Sequence, residues 1–183
     1  MVIIQSLFQT DFPLSWANLE PYSESNAFRK EIYTHAESNA VEELAMLFHH
    51  LFGSLKDKIY IYDRSWWDAC LDTWDMQNDT YSYSPEGKSP ETAAYLTMLT
   101  DAGITADYSG CVQCLHWDKF LTIILRCVLN HAAPYSPVFY SEAHQLFFYF
   151  HHTASIGFYH KNESEVVKGI LGRAAERYEI ISR

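Results

Sequence analysis

The sequence predicts an all-α fold, a single domain over residues 1–183 built as a bundle of about six or seven helices. Three observations lead there. Apolar residues recur at helical spacing along most of the chain. Helix-start and helix-stop residues stand at the ends of those stretches. The connections between them are short enough for antiparallel neighbours.

Taken in order, residues 1–22 hold one short apolar run, Val2 to Phe8, then Pro13 and Pro21, and read as a short N-terminal extended segment. Residues 24–37 read as a helix with Phe28, Ile32 and Ala36 on one face. Asn39 with Glu42 three residues on marks the next N-terminus. Val41, Leu44, Ala45, Phe48, Leu51 and Phe52 form that helix's stripe, and Gly53 suits its C-terminal end. Lys58 to Asp63 alternate as a strand does, with no evident partner. Ser65 to Gln77 reads as helix, and residues 79–89 as a Ser, Tyr, Pro and Gly loop. Ser89 caps and Pro90 opens a helix that runs to Ala102 and stops at Gly103. A long helix over 114–132 carries Trp117, Phe120, Leu121, Ile124 and Val128 and ends before Pro134. A very aromatic helix is expected over 141–153. Asn162 and Glu165 open the last one, lined by Val166, Val167, Ile170, Leu171, Ala174 and Tyr178.

Composition narrows the function. Hydrophobic residues make up 48% and charged residues 20%, which suits a folded core. Thirteen basic residues against 23 acidic ones give a net charge of −10. Neutralising phosphates needs clustered Lys and Arg, so direct nucleic-acid binding is disfavoured, and an anionic membrane surface with it. The N-terminus lacks a basic, apolar leader pattern, and no long uncharged apolar run follows. The four cysteines then read as reduced thiols, and the expected location is cytoplasmic.

Catalytic signatures are sparse. Cys111 and Cys114 with His116 resemble half of a zinc site, for which Cys127 or His131 would have to supply a further ligand; buried core cysteines explain the same residues. The nine histidines include two adjacent pairs, which point about 100° apart on a helix and chelate poorly. There is no Gly-x-Ser-x-Gly elbow, Walker loop or Gly-x-Gly-x-x-Gly turn. No cofactor is expected and the chain reads as a non-enzyme.

The residues that stand out are acidic and aromatic. Asp68, Asp72, Asp75 and Asp79 are spaced i, i+4, i+7 and i+11, which on a helix places them within an arc of about 60°. Trp67 and Trp74 fall on an adjoining strip, Asp63 lies just before, and Trp66 points away toward a core. Like charges at that spacing repel, so the arrangement costs local stability and suits a basic partner. The expected partner-binding set is Asp63, Trp67, Asp68, Asp72, Trp74, Asp75 and Asp79, facing a basic protein such as a nuclease or toxin domain. A solvated helix face is the plain alternative.

In size, acidity and lack of catalytic motifs the chain resembles the bacterial immunity proteins that neutralise toxins of contact-dependent growth inhibition systems. The resemblance is one of profile and carries over no residue. It implies a cytoplasmic inhibitor that binds a cognate toxin domain and has no activity of its own. Two alternatives stay open: a metal-dependent helical hydrolase using Cys111, Cys114, His116 and His131, and a non-enzymatic helical scaffold or regulatory subunit.

Overall fold

The computed structural model describes residues 1–35 and 39–182. Its centre is an eight-stranded antiparallel sheet, so the all-α expectation is wrong. In chain order the elements are β1 (Ile4–Ser6), β2 (Phe28–Tyr33), α1 (Ala40–Phe52), β3 (Tyr60–Asp63), β4 (Trp74–Asp75), β5 (Thr80–Tyr81), α2 (Pro90–Asp101), β6 (Gly110–Cys114), α3 (Trp117–Leu129), β7 (Val138–Ser141), β8 (Leu146–His151), β9 (Ser155–His160), α4 (Glu165–Ala175) and β10 (Glu179–Ser182). The sheet order is β1-β6-β3-β7-β8-β9-β2-β10, and β4 and β5 form a separate two-stranded ribbon.

The helices α1 to α4 follow the predicted apolar stripes, but the punctuation holds only at α2: Asn39 precedes α1 without a side-chain cap, and Gly53 is right-handed and leads into a 3-10 turn instead of ending the helix in the left-handed region. α1 buries Leu44, Leu47, Phe48, Leu51 and Phe52. Ser89 accepts a hydrogen bond from the Thr92 N–H at the head of α2, with Pro90 in its first turn. α3 buries Phe120, Leu121, Ile124, Leu125, Cys127 and Val128. Ser164, rather than Asn162, caps α4 by accepting from the Val167 N–H.

The strands depart from the helical expectation where burial hides their period. β8 and β9 are buried along nearly their whole length, so Leu146-Phe147-Phe148-Tyr149-Phe150 shows no polar alternation. Such a run looks like a buried helix by pattern alone. Two hairpin turns settle it, at Gln145 and Ala154, both with positive φ. In β2, Phe28 and Ile32 share a face at strand spacing as well as at helical spacing, and the strand pairs with β9 and β10. Ala36 and Glu37, part of the helix expected there, lie outside the described residues. The strand expected over Lys58–Asp63 forms over Tyr60–Asp63, after a 3-10 turn that ends at Lys58, and finds its partners in β6 and β7.

One face of the sheet carries the helices. Phe52 stacks on Phe148 at 4.0 Å, and Phe139 and Phe48 extend that aromatic layer. Each fully buried Phe there contributes about 1.5–3 kcal/mol. The other face is covered by the N-terminal arm. Leu7 N–H donates to the Cys111 carbonyl and Cys111 N–H donates to the Gln9 carbonyl, which ties the arm to β6. A Cβ on Gly110 would stand 2.7 Å from the Gln9 oxygen, so that approach needs glycine. Phe12 then packs on Tyr62 and Tyr140, and Trp16 stacks on Phe147 while its indole N–H donates to Gln145. No helix among the described residues is long and apolar enough to cross a membrane.

Candidate functional site

Ser65 to Gln77, expected as one helix, is two single turns of 3-10 helix followed by the β4–β5 hairpin. Local hydrogen bonding decides this. Short polar side chains bond their own backbone and pull the chain out of the α register. Thr73 Oγ1 donates to the Cys70 carbonyl at 2.6 Å, and Leu71 N–H donates to the Ala132 carbonyl at 2.7 Å beyond the end of α3.

The carboxylates therefore do not form one row. Asp68 accepts from the Tyr83 hydroxyl at 2.5 Å. Burial and that acidic partner push the Tyr83 phenol up to about 12. Asp72 turns inward and accepts from the Thr92 hydroxyl and from Ser89 N–H at 2.9 Å, so it fastens the head of α2. Asp75 closes its own hairpin turn by accepting from the Gln77 and Asn78 N–H groups and the Asn78 amide. That set, led by the Asn78 side chain, holds its carboxyl below the usual range. Asp79 is exposed in the same turn, in the left-handed region with φ 51°.

Asp63 stands apart from these four. It lines a cleft of about 130 Å³ with Tyr22, Arg64 and Ser136, beside the ion pair of Arg64 with Glu20. Burial pushes its carboxyl up to about 6, although the Ser65 and Arg64 N–H groups pull the other way.

The tryptophans also part company. Trp66 is fully buried; its indole N–H donates to the Gly110 carbonyl, and its own carbonyl accepts from the Tyr95 hydroxyl. Trp67 is half-buried and donates to the Ile104 carbonyl. Trp74 projects from the hairpin at 40% exposure, and Leu71 (62%), Met76 (86%) and Tyr81 (47%) are exposed with it. A chain of rings joins this surface to the body: Trp74 edge-on to Tyr81 at 4.9 Å, Tyr81 stacked on Tyr83 at 6.0 Å, and Tyr83 edge-on to Trp67 at 5.3 Å. The result is a braced apolar ribbon edged by Asp68, Asp75 and Asp79. Comparison with known families, with curated proteins and with solved structures finds no significant match for this chain.

The residues of the alternative zinc reading are not brought together. Cys111 and Cys114 are three apart on one strand and so face opposite sides of the sheet. Cys111 accepts from the Tyr140 hydroxyl under the arm, while Cys114 joins the helix-side core. His116 and His131 are exposed at opposite ends of α3. Among the described residues no three His, Cys, Asp or Glu side chains stand close enough to hold a metal ion. All four cysteines are free and buried.

A second concave surface has no counterpart in the sequence-based expectations. Where the arm crosses β8, β9 and β2, a cleft of about 350 Å³ is lined by Tyr22, Tyr135, Tyr149, Tyr159 and Arg29. Tyr22 stacks on Tyr149 at 4.7 Å, and Tyr135 meets Tyr149 edge-on. Gly157 makes room for this: a Cβ there would lie 2.7 Å from the Tyr149 ring. The signals were the aromatic run bounded by turns and a glycine opposite Tyr149, legible only once 146–160 is read as a hairpin.

Proposed function

We propose that the chain is a binding protein that neutralises a basic protein partner, a toxin or nuclease domain, as immunity proteins do, by docking it on the 71–83 hairpin. The observation that carries this is the exposure of Leu71, Trp74, Met76 and Tyr81 on one ribbon braced to the body through Tyr83 and Trp67. Trp and Tyr anchors of this kind dominate binding energy at protein interfaces, at about 2–4 kcal/mol each when truncated. Asp68, Asp75 and Asp79 around them, within a chain of net charge −10, would steer a cationic surface onto the ribbon. Asp72 is left out of the contact set because Ser89 and Thr92 occupy it. In this reading the protein acts in the cytoplasm and performs no chemistry of its own.

The test is recovery of the protein from its native cells at low salt, followed by the same recovery with Trp74→Ala/Tyr81→Ala. A basic protein that comes with the wild type, is lost with the double variant and associates more slowly as salt rises supports the proposal. Retention by the double variant, or a neutral partner whose association ignores salt, overturns it; the latter outcome favours a scaffold role.

A further inference from the structure

The tyrosine cleft contains an arginine whose charge no other described residue matches. Arg29 lies opposite Tyr159 in the β2–β9 register, with its guanidinium carbon 5.7 Å from the Tyr159 ring centre. Its Nε is buried, and among the described residues it has no hydrogen-bond acceptor and no carboxylate lies within ion-pair distance of the guanidinium. The nearby carboxylates are engaged elsewhere: Glu31, two residues along β2, accepts from Ser155, and Glu20 pairs with Arg64. A buried N–H donor without an acceptor is costly, and the half-buried guanidinium that carries it matches carboxylate and phosphate oxygens in a planar fork.

The walls specify the rest of the ligand. Tyr149 and Tyr159 form the floor at 7% and 1% exposure, Tyr22 leans over Tyr149, and Tyr135 rises at the rim at 51% exposure. The exposed Tyr135 ring gives a flat ligand a face to pack on, with Tyr22 and Tyr149 offering edges and hydroxyls, and the volume matches the lower end of small-molecule sites. Burial raises the Tyr22, Tyr149 and Tyr159 phenols above their ordinary value, so their hydroxyls stay protonated and keep their capacity to donate. Arg29 already occupies the face of Tyr159, so a ligand cation has no place in this cage.

We propose that this cleft binds a small aromatic molecule bearing one oxyanion group, a carboxylate or a monophosphate, with the anion on Arg29 and the ring against Tyr22, Tyr135 and Tyr149. This site is separate from the hairpin, and its fate is independent of the docking proposal.

The experiment is calorimetric titration of the whole protein at low salt. The probes are 4-hydroxybenzoate and adenosine monophosphate. Phenol and adenosine supply the ring without the anion; acetate and inorganic phosphate supply the anion without the ring. At least one ring-plus-anion probe should bind about tenfold more tightly than its two fragments, and the tighter of the two tells carboxylate from phosphate. Arg29→Met should weaken that probe by about tenfold or more, and Tyr135→Ala, at an exposed rim position, by a smaller factor. Trp74→Ala should leave it unchanged. Equal binding of the neutral rings, undiminished binding to Arg29→Met, or no binding of either probe at millimolar concentration overturns the proposal. If Arg29→Met fails to fold, unchanged binding to Tyr135→Ala overturns it.

Discussion

Replacing Asp72 with alanine tests the strongest departure from the sequence-based picture. On a solvated helix face the substitution would be nearly silent. In the structure the carboxylate accepts from the Thr92 hydroxyl, on a residue with no exposure, and from Ser89 N–H at the head of α2. Hydrogen bonds to a charged acceptor are worth about 1.5–3 kcal/mol each, so losing two costs about 3 kcal/mol even at the low end. For a chain of this length that lowers the melting temperature by roughly 6–12 °C. Burial pushes the Asp72 carboxyl up, but the Thr92 and Ser89 donors outweigh it and hold it below the ordinary 3.8. A depressed pKa means that the stabilisation is present above about pH 4 and is lost as pH falls through the lower folded-state value. Urea unfolding of Asp72→Ala and wild type at pH 7 and again near pH 3 should therefore show a large gap that narrows in acid. A gap below about 0.5 kcal/mol at pH 7 would refute the clamp, since that is the range of ordinary surface changes.

Two further substitutions have definite expected outcomes. Asp63, with its carboxyl pushed up to about 6 from 3.8 by burial, favours its neutral form in the fold. Its contribution is full below about pH 4 and is lost as pH rises through about 6; two pKa units set a ceiling near 3 kcal/mol, or about 1–2 kcal/mol after solvent screening of a half-buried group. Asp63→Asn should flatten the urea stability profile between pH 4 and 7, and an unchanged profile would remove the carboxyl from that account. Gly157→Ala brings a methyl group within 2.7 Å of the Tyr149 ring, so it should destabilise by about 1–3 kcal/mol and disturb the tyrosine cleft; wild-type stability in that variant would show that the ring moves aside freely.

Legibility followed burial on one face or two. The helices α1 to α4 each bury one side, so their 3.6-residue stripes and their Ser89 and Pro90 punctuation survive in the sequence. Strands β7 to β9 are covered by helices on one side and by the arm on the other, which erases the alternation that marks a strand. In the 65–77 segment the aspartate spacing imitates a helix face. Each carboxylate instead serves a local bond: Asp68 to Tyr83, Asp72 to Ser89 and Thr92, Asp75 to its own turn. Trp74 declared itself as an aromatic residue beside aspartates, though its exposure comes from the β4–β5 hairpin and not from the helical strip that its spacing suggests. Arg29 and the tyrosines around it did not, because they converge only through pairing between β2 and β9.

The strand order also governs when this chain can finish folding. β7, β8 and β9 are joined by tight turns and can pair as soon as they exist. Their other neighbours come from far away: β9 must find β2, β1 must find β6, and β10 must find β2, each more than a hundred positions distant. Closing such loops is slow and comes late. Until β3 and β2 dock, the central meander presents two unpaired edges of Phe and Tyr, the kind of surface that invites intermolecular strand addition. The aromatic density that stabilises the finished sheet is thus also its main hazard on the way there, and a chaperone or low protein concentration would raise the yield of refolding more than any change to the helices.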